Sequence, residues 1–135
     1  MAIRDLLRNQ LVSQSLAPAA RVNGTATGTA VDLRGFDGAV ITVSFGAYTD
    51  GAHTPTVVHS DDNSTFTTCV YGTDIDGPAN LAAVSSAAGA NTLQQIGYVG
   101  GKRYVAVVIT TTGATTGALS GANIVAGYPH HAPTM

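Results

Sequence analysis

The run from Ala39 to Phe45 constrains this chain more than any other stretch. Ala39, Ile41, Val43 and Phe45 alternate with Val40, Thr42 and Ser44, so one face is apolar and the other mostly hydroxylated. A repeat of two is the period of a pleated strand, and branched and aromatic side chains suit a half-buried sheet. The same residue types build two longer stretches. One runs from Gly38 through a loop over 46–55 that holds Asp50-Gly51, and returns to Ser60. The other runs from Arg103 through Thr112-Gly113-Ala114-Thr115-Thr116-Gly117 to Ala126. Strand chemistry on both sides of a glycine-bearing reversal predicts a β-hairpin in each case.

Shorter signals fill the rest. Arg21 to Thr29 reads as a linker or irregular edge strand, and Val31 to Leu33 leads into a turn over Arg34 to Gly38. Asp61-Asp62-Asn63-Ser64 is a polar reversal, because Asp and Asn side chains bond backbone amides ahead of them. Phe66 to Tyr71 and Asn91 to Gly97 read as strands. The connection from Asp74 to Gly89 has room for a helical turn in Leu81 to Ala88. Val99-Gly100-Gly101-Lys102 turns the chain into the second predicted hairpin, and Gly127 to Met135 forms a tail. About seven or eight short strands without interleaved helices predict an all-β sandwich, Greek key or jelly roll.

Composition supports one domain with a real core. A chain of 135 residues and 13.6 kDa is expected to fold to about 6,600 Å² of surface from about 20,000 Å² unfolded. Charged residues are 10% of the chain, against about 25% in ordinary globular proteins. Such a surface is covered by small polar residues or by neighbouring subunits, whose interface cores are depleted in charge. All 8 acidic residues are Asp, which favours turns over helices. Net charge is −2 and the 6 basic residues are scattered, so no stripe suits a phosphate backbone and no nucleic-acid partner is expected. Cys69 is alone and is expected to pack as a small hydrophobe. No run has the length of a membrane span, and the N-terminus lacks the apolar core of a signal peptide, so folding in a cytosol is expected.

The N-terminal stretch differs from the rest. Ile3, Leu6, Leu7 and Leu11 fall at helical spacing, with Arg4 and Arg8 between them, and Pro18 closes the segment. Residues 1–20 are therefore expected to be a short helical or extended arm, either docking elsewhere or lying over its own sheet, with residues 21–135 as the β-domain. Ile3, Leu6, Leu7 and Leu11 are its candidate anchors, with Arg4 and Arg8 placed to meet carboxylates on a partner. Removing residues 1–17 is then expected to spare the β-fold.

Little in the chain points to catalysis, and no cofactor or metal is expected. His53, His59, His130 and His131 lack the spacing of a structural zinc site and read as strand-face, turn and tail residues. Asp74-Ile75-Asp76-Gly77 opens like a calcium loop but lacks the later ligands and closing Glu, so a turn is the better reading. Asp61 and Asp62 fit an Asx turn better than a catalytic pair. There is no Gly-x-Ser-x-Gly elbow, and the Gly-Lys at Gly101-Lys102 lacks Walker spacing. No nucleophile, base and orienter can be assigned, so a non-enzyme is expected.

Four segments resemble those of small tailed-bacteriophage virion proteins. They are Val31 to Val40; His59 to Phe66; Ile96-Gly97-Tyr98 with Lys102-Arg103-Tyr104-Val105; and Thr112 to Gly117 with Gly127-Tyr128-Pro129. The chain departs from that pattern at Asn63, where glycine is usual, and at Phe66, where tryptophan is common. The resemblance implies a single jelly-roll β-sandwich acting as a capsid cement or decoration protein. Proteins of that kind sit on the outside of an HK97-type shell as homodimers or homotrimers and clamp neighbouring capsomers. The implied partner is the major capsid protein, and the implied location is the virion surface after assembly in the bacterial cytoplasm. A neck, tail or fibre-associated module, or a carbohydrate-binding host-recognition module with tyrosine platforms, are the alternatives.

Overall fold

The computed structural model describes residues 6–130. Ile3 and Arg4, and His131 in the tail, lie outside the described residues. The described chain is all-β, with ten strands in two antiparallel sheets and only two single-turn 3₁₀ segments, Leu7–Asn9 and Ala87–Gly89. The first sheet holds β1 (Leu11–Arg21), β10 (Ala118–Pro129), β4 (Phe36–Tyr48), β8 (Thr92–Tyr98) and β7 (Ile75–Asp76), in that order. The second holds β2 (Gly24–Thr27), β9 (Tyr104–Thr112), β5 (Ala52–Ser60) and β6 (Thr67–Thr68). β3 (Val31–Asp32) pairs with β9 beyond the end of β2, so β2 and β3 form one interrupted edge.

The alternation in β4 sets the core. Ile41, Val43 and Phe45 point inward with Ile96, Tyr98, Ala122 and Ile124 of the same sheet. Val57, Val105, Val107 and Ile109 of the second sheet meet them, and all belong to one buried cluster. Each fully buried branched side chain contributes about 1.5–3 kcal/mol, so this shared layer holds the sheets together.

Neither predicted hairpin is a hairpin. β4 and β5 follow one another in sequence but lie in different sheets, and so do β9 and β10. Each turn is an arch that carries the chain across the core. The arches nest, because β4 pairs with β10 and β5 with β9. A glycine-bearing reversal between amphipathic strands signals only that the chain turns back. Which sheet receives the next strand is decided by contacts made far along the sequence. Gly51 lies in the first arch at φ +90°, and a Cβ there would sit 2.6 Å from the Cβ of Ala114 in the second.

The expected arm also reads differently. From Leu11 onward it is β1, an edge strand paired with β10 from Leu11↔Ala126 to Arg21↔Ala118. Helical spacing over residues 3–11 gives too short a segment to hold a helix alone, and Val12, Ser13 and Ser15 are poor helix formers. Phe66 to Tyr71 likewise shrinks to Thr67–Thr68. Beyond it, Asp74 accepts the Val70 N–H at 2.9 Å, which takes Val70 out of a strand ladder.

β1 is stitched to the second sheet by one residue. Its register shifts between Gln14 and Leu16, and the bulged Ser15 is buried. The Ser15 hydroxyl donates to the Thr29 carbonyl at 3.0 Å and accepts the Val107 N–H of β9 at 3.1 Å. That N–H lies where the edge breaks between β2 and β3, so the hydroxyl replaces the missing strand partner. Gly28 closes the junction by donating to the Val107 carbonyl at 2.8 Å, and a Cβ on it would meet that oxygen at 2.7 Å.

Truncation to residue 18 therefore removes sheet, not a loose arm. Ser15→Ala leaves a buried N–H without its acceptor, a loss of about 1–3 kcal/mol. Urea unfolding should show that loss for Ser15→Ala and a loss below about 0.5 kcal/mol for Ser13→Ala at a half-buried position of the same strand. Equal effects would contradict the stitch.

Candidate functional site

Each buried histidine sits in its own polar network, one around His53 and one around His59. At the arch end the Asp50 carboxylate accepts the backbone N–H groups of Thr115, Thr116 and Gly117 at 2.6–3.2 Å, tying the two arches together. Beneath it His53 is fully buried. Its Nε2–H donates to the Asp50 carbonyl at 2.9 Å and its Nδ1 accepts from the Thr111 hydroxyl at 3.0 Å, since a carbonyl can only accept.

At the other end the Tyr98 hydroxyl and His59 Nδ1 share a hydrogen bond of 2.9 Å, and the hydroxyl accepts the Lys102 N–H at 3.0 Å. His59 Nε2 faces Asp74 Oδ2 at 3.9 Å. Cys69 belongs to the buried core, where burial pushes its thiol up to about 12. Burial likewise raises the Tyr98 hydroxyl above its ordinary value. The neutral thiol packs in the core, and His59 is held by its bond to Tyr98. Among the described residues no three His, Cys, Asp or Glu side chains gather to hold a metal ion.

The polar turns are occupied by their own backbones. Asp62 accepts the N–H groups of Ser64 and Thr65, each at 2.9 Å, and the Ser60 hydroxyl at 2.8 Å. Asp76 accepts the Gly77 N–H, and Asp74 that of Val70, which makes the Asp74–Gly77 segment a turn. Arg103 grips Asp32 with two bonds of 2.7 and 2.8 Å, Lys102 meets Asp61 at 3.3 Å, and His130 meets Asp37 at 2.6 Å. These pairs leave no continuous cationic stripe on that end.

What remains unpartnered is a surface. Outward positions of β4 are Val40, Thr42 and Ser44; those of β10 are Leu119, Gly121, Asn123 and Val125; those of β8 are Leu93, Gln95 and Gly97. None is charged. Leu93 is 62% and Leu119 47% exposed. At the N-terminal end of this face lies a groove of ≈ 800 Å³, lined in part by Leu6, Val40, Val99, Val125 and Tyr128.

Tyr128 is the unusual residue of the groove. It has φ +53°, a conformation that side-chain-bearing residues adopt rarely, and its ring lies over Gly38 while 79% of the residue is exposed. Such a backbone costs on the order of 1 kcal/mol and is found disproportionately where a side chain is displayed for function. Of the anchors expected from sequence, Leu6, Leu7 and Leu11 are exposed at this same end, and only Leu6 lines the groove. Arg8 sits on the Leu7–Asn9 turn and has interactions of its own. Sequence reasoning named Tyr128 only among the tyrosines of a carbohydrate-binding alternative and in the tail segment of the resemblance, and did not single out Val99 or the outer face of β4 as a docking surface. The usable signal was that Val40, Thr42 and Ser44 carry no charge where a solvent-facing strand side ordinarily does.

No protein-family model matches the chain, and no curated protein matches it. No helix among the described residues is long and apolar enough to cross a membrane.

The held carboxylates fix the response to acid. Arg103 keeps Asp32, and turn N–H groups keep Asp62, at about 2, below the ordinary 3.8; backbone N–H groups lower Asp50 as well. A depressed folded-state pKa gives stability that is complete above 3.8 and is lost as pH falls toward 2. Thermal melts should therefore be flat from neutral pH into the mildly acidic range and fall steeply below 3.8. Asp50→Asn should lower the neutral-pH melting temperature and make the acid limb shallower. A melting temperature that rises on acidification through this range would contradict the assignment.

Proposed function

We propose that the two sheets form a single jelly-roll β-sandwich. The support is the order of strands. The principal strands run β1-β10-β4-β8 in one sheet and β2-β9-β5-β6 in the other, so early and late strands alternate, and the chain crosses the core between β1 and β2, β4 and β5, β6 and β8, and β9 and β10 while β5 and β6 pair within one sheet. That is the pattern of two interlocked Greek keys.

We further propose that the protein is a structural component of a tailed-phage virion, docking on the outside of an HK97-type capsid with the major capsid protein as partner. One observation carries this reading: large apolar side chains, Leu6, Leu7, Leu11 and Tyr128, are displayed together at the N-terminal end of the first sheet, on a chain otherwise short of charge. Exposed apolar surface of this kind marks interaction sites, and tyrosine is a frequent anchor in them. The resemblance of Val31 to Val40, His59 to Phe66 and Thr112 to Gly117 to phage virion proteins supplies the identity of the partner. The mechanism is mechanical: a modest contact, repeated by the symmetry of the shell, clamps neighbouring capsomers.

Cosedimentation with undecorated heads of the parent phage tests it. Wild-type protein should pellet with heads at saturating stoichiometry. Leu6→Asp with Leu7→Asp should weaken binding at least about tenfold, equivalent to 1.4 kcal/mol, while the melting temperature stays unchanged. Absence of wild-type binding, or unchanged binding by the double variant, would sink the reading.

A further inference from the structure

Charge is scarce in this chain, yet it gathers at one place. Residues 33–38 and 100–103, with Asp61, Tyr98 and His130, line a cleft of ≈ 460 Å³. Arg34, Lys102 and Arg103 are among these residues, out of only 6 basic residues in the whole chain. Two of the three are engaged. Arg103 holds Asp32 through Nε and Nη2 and lies over the Tyr104 ring, 4.9 Å from its centroid. Lys102 meets Asp61 at 3.3 Å. Arg34 uses its backbone N–H, on Asp32, while its guanidinium makes no ion pair among the described residues. The Asp61 side chain is 73% exposed and gives Lys102 one oxygen, so the other remains open to a donor.

Gly101 is the second observation. It lies outside the left-handed region, and a Cβ on it would meet nothing within 4 Å. Neither backbone conformation nor packing requires glycine there. An added side chain would instead stand in the cleft, and its absence leaves the backbone open to close approach.

We propose that this cleft binds an acidic sugar, a ring that carries a carboxylate and neighbouring hydroxyls. The planar fork of Arg34 matches a carboxylate with two parallel bonds. The open oxygen of Asp61 takes a sugar hydroxyl as donor, and Lys102 has donors left for a hydroxyl oxygen. A bare phosphate would bring its charge against the Asp61 carboxylate, and a neutral sugar would leave Arg34 without a partner. The volume falls within the range of small-molecule sites, about 300–1,000 Å³. Leu33 and Phe36 supply an apolar wall for the C–H face of the ring. The proposal does not rest on capsid docking. The cleft adjoins the docking groove along Asp37, Gly38 and Tyr98, but Arg34, Asp61, Gly101 and Lys102 lie outside the groove, as Leu6 and Tyr128 lie outside the cleft.

Amide NMR titration of the full chain tests the proposal. Glucuronate, galacturonate and N-acetylneuraminate are the probes, with galactose and inorganic phosphate as controls. At least one acidic sugar should shift the Gly35, Gly100 and Gly101 signals and saturate, whereas galactose and phosphate should not. Arg34→Ala and Gly101→Leu should each weaken that binding at least about tenfold without lowering the melting temperature. Leu6→Asp should leave it unchanged. Should Gly101→Leu fail to fold, Arg34→Lys, which keeps the charge and removes the fork, should still weaken binding. No shift with any of the acidic sugars at about 10 mM would overturn the proposal. So would equal binding of galactose, the same shifts with phosphate alone, or an affinity that survives Arg34→Ala.

Discussion

One carboxylate sits at the junction on which this structure turns. Asp50 lies in the arch between β4 and β5 and takes the N–H groups of Thr115, Thr116 and Gly117 from the arch between β9 and β10. Both arches cross from one sheet to the other, and neither has a ladder partner within itself. Holding them together fixes which strands become neighbours: β4 beside β10, β5 beside β9. His53 fills the space beneath with a polar side chain whose two nitrogens are both engaged, so the end of the core is closed without an unsatisfied group. Ser15 provides the corresponding tie for the edge strand β1.

This arrangement explains what could and could not be read from residues alone. The alternation of Ala39 to Phe45 gave strand β4 and its buried face, because a period of two is a local property. The Asx turn at Asp62 was legible for the same reason, since its bonds reach only two and three residues ahead. The pairing of β4 with β10 rather than β5 was not legible. The Asp50-Gly51 signal is identical in a hairpin and in an arch, and the bonds that distinguish them span more than sixty residues. The N-terminal segment misled in another way. Its leucines do fall at helical spacing, yet β10 offers Leu11 to Arg21 a complete antiparallel ladder, and tertiary pairing outweighs a short helical pattern.

The same logic separates interior from surface. Histidine, cysteine, tyrosine and aspartate are present in combinations that suggest chemistry when seen as a sequence. In the fold they are absorbed: His59 and Tyr98 bond one another, Cys69 is buried and neutral, and the turn aspartates hold backbone N–H groups. The outer face of the first sheet is different. It carries apolar and amide side chains without charge, and at its end Tyr128 is displayed from a disfavoured backbone conformation. The candidate site was only half legible, because the exposed leucines were visible in sequence while the strands that surround them were assembled from distant parts of the chain.

The central claim is that this rigid two-sheet scaffold acts through its surfaces, with the N-terminal end turned toward a capsid shell. A reconstruction of the parent phage particle tests that claim most directly. The account predicts the β-domain on the outside of the shell in on the order of hundreds of copies, as symmetry repeats each contact, with Leu6, Leu7 and Tyr128 at the capsid side. A particle whose shell lacks the domain, or carries it only as a small ring at the neck or tail, would contradict it.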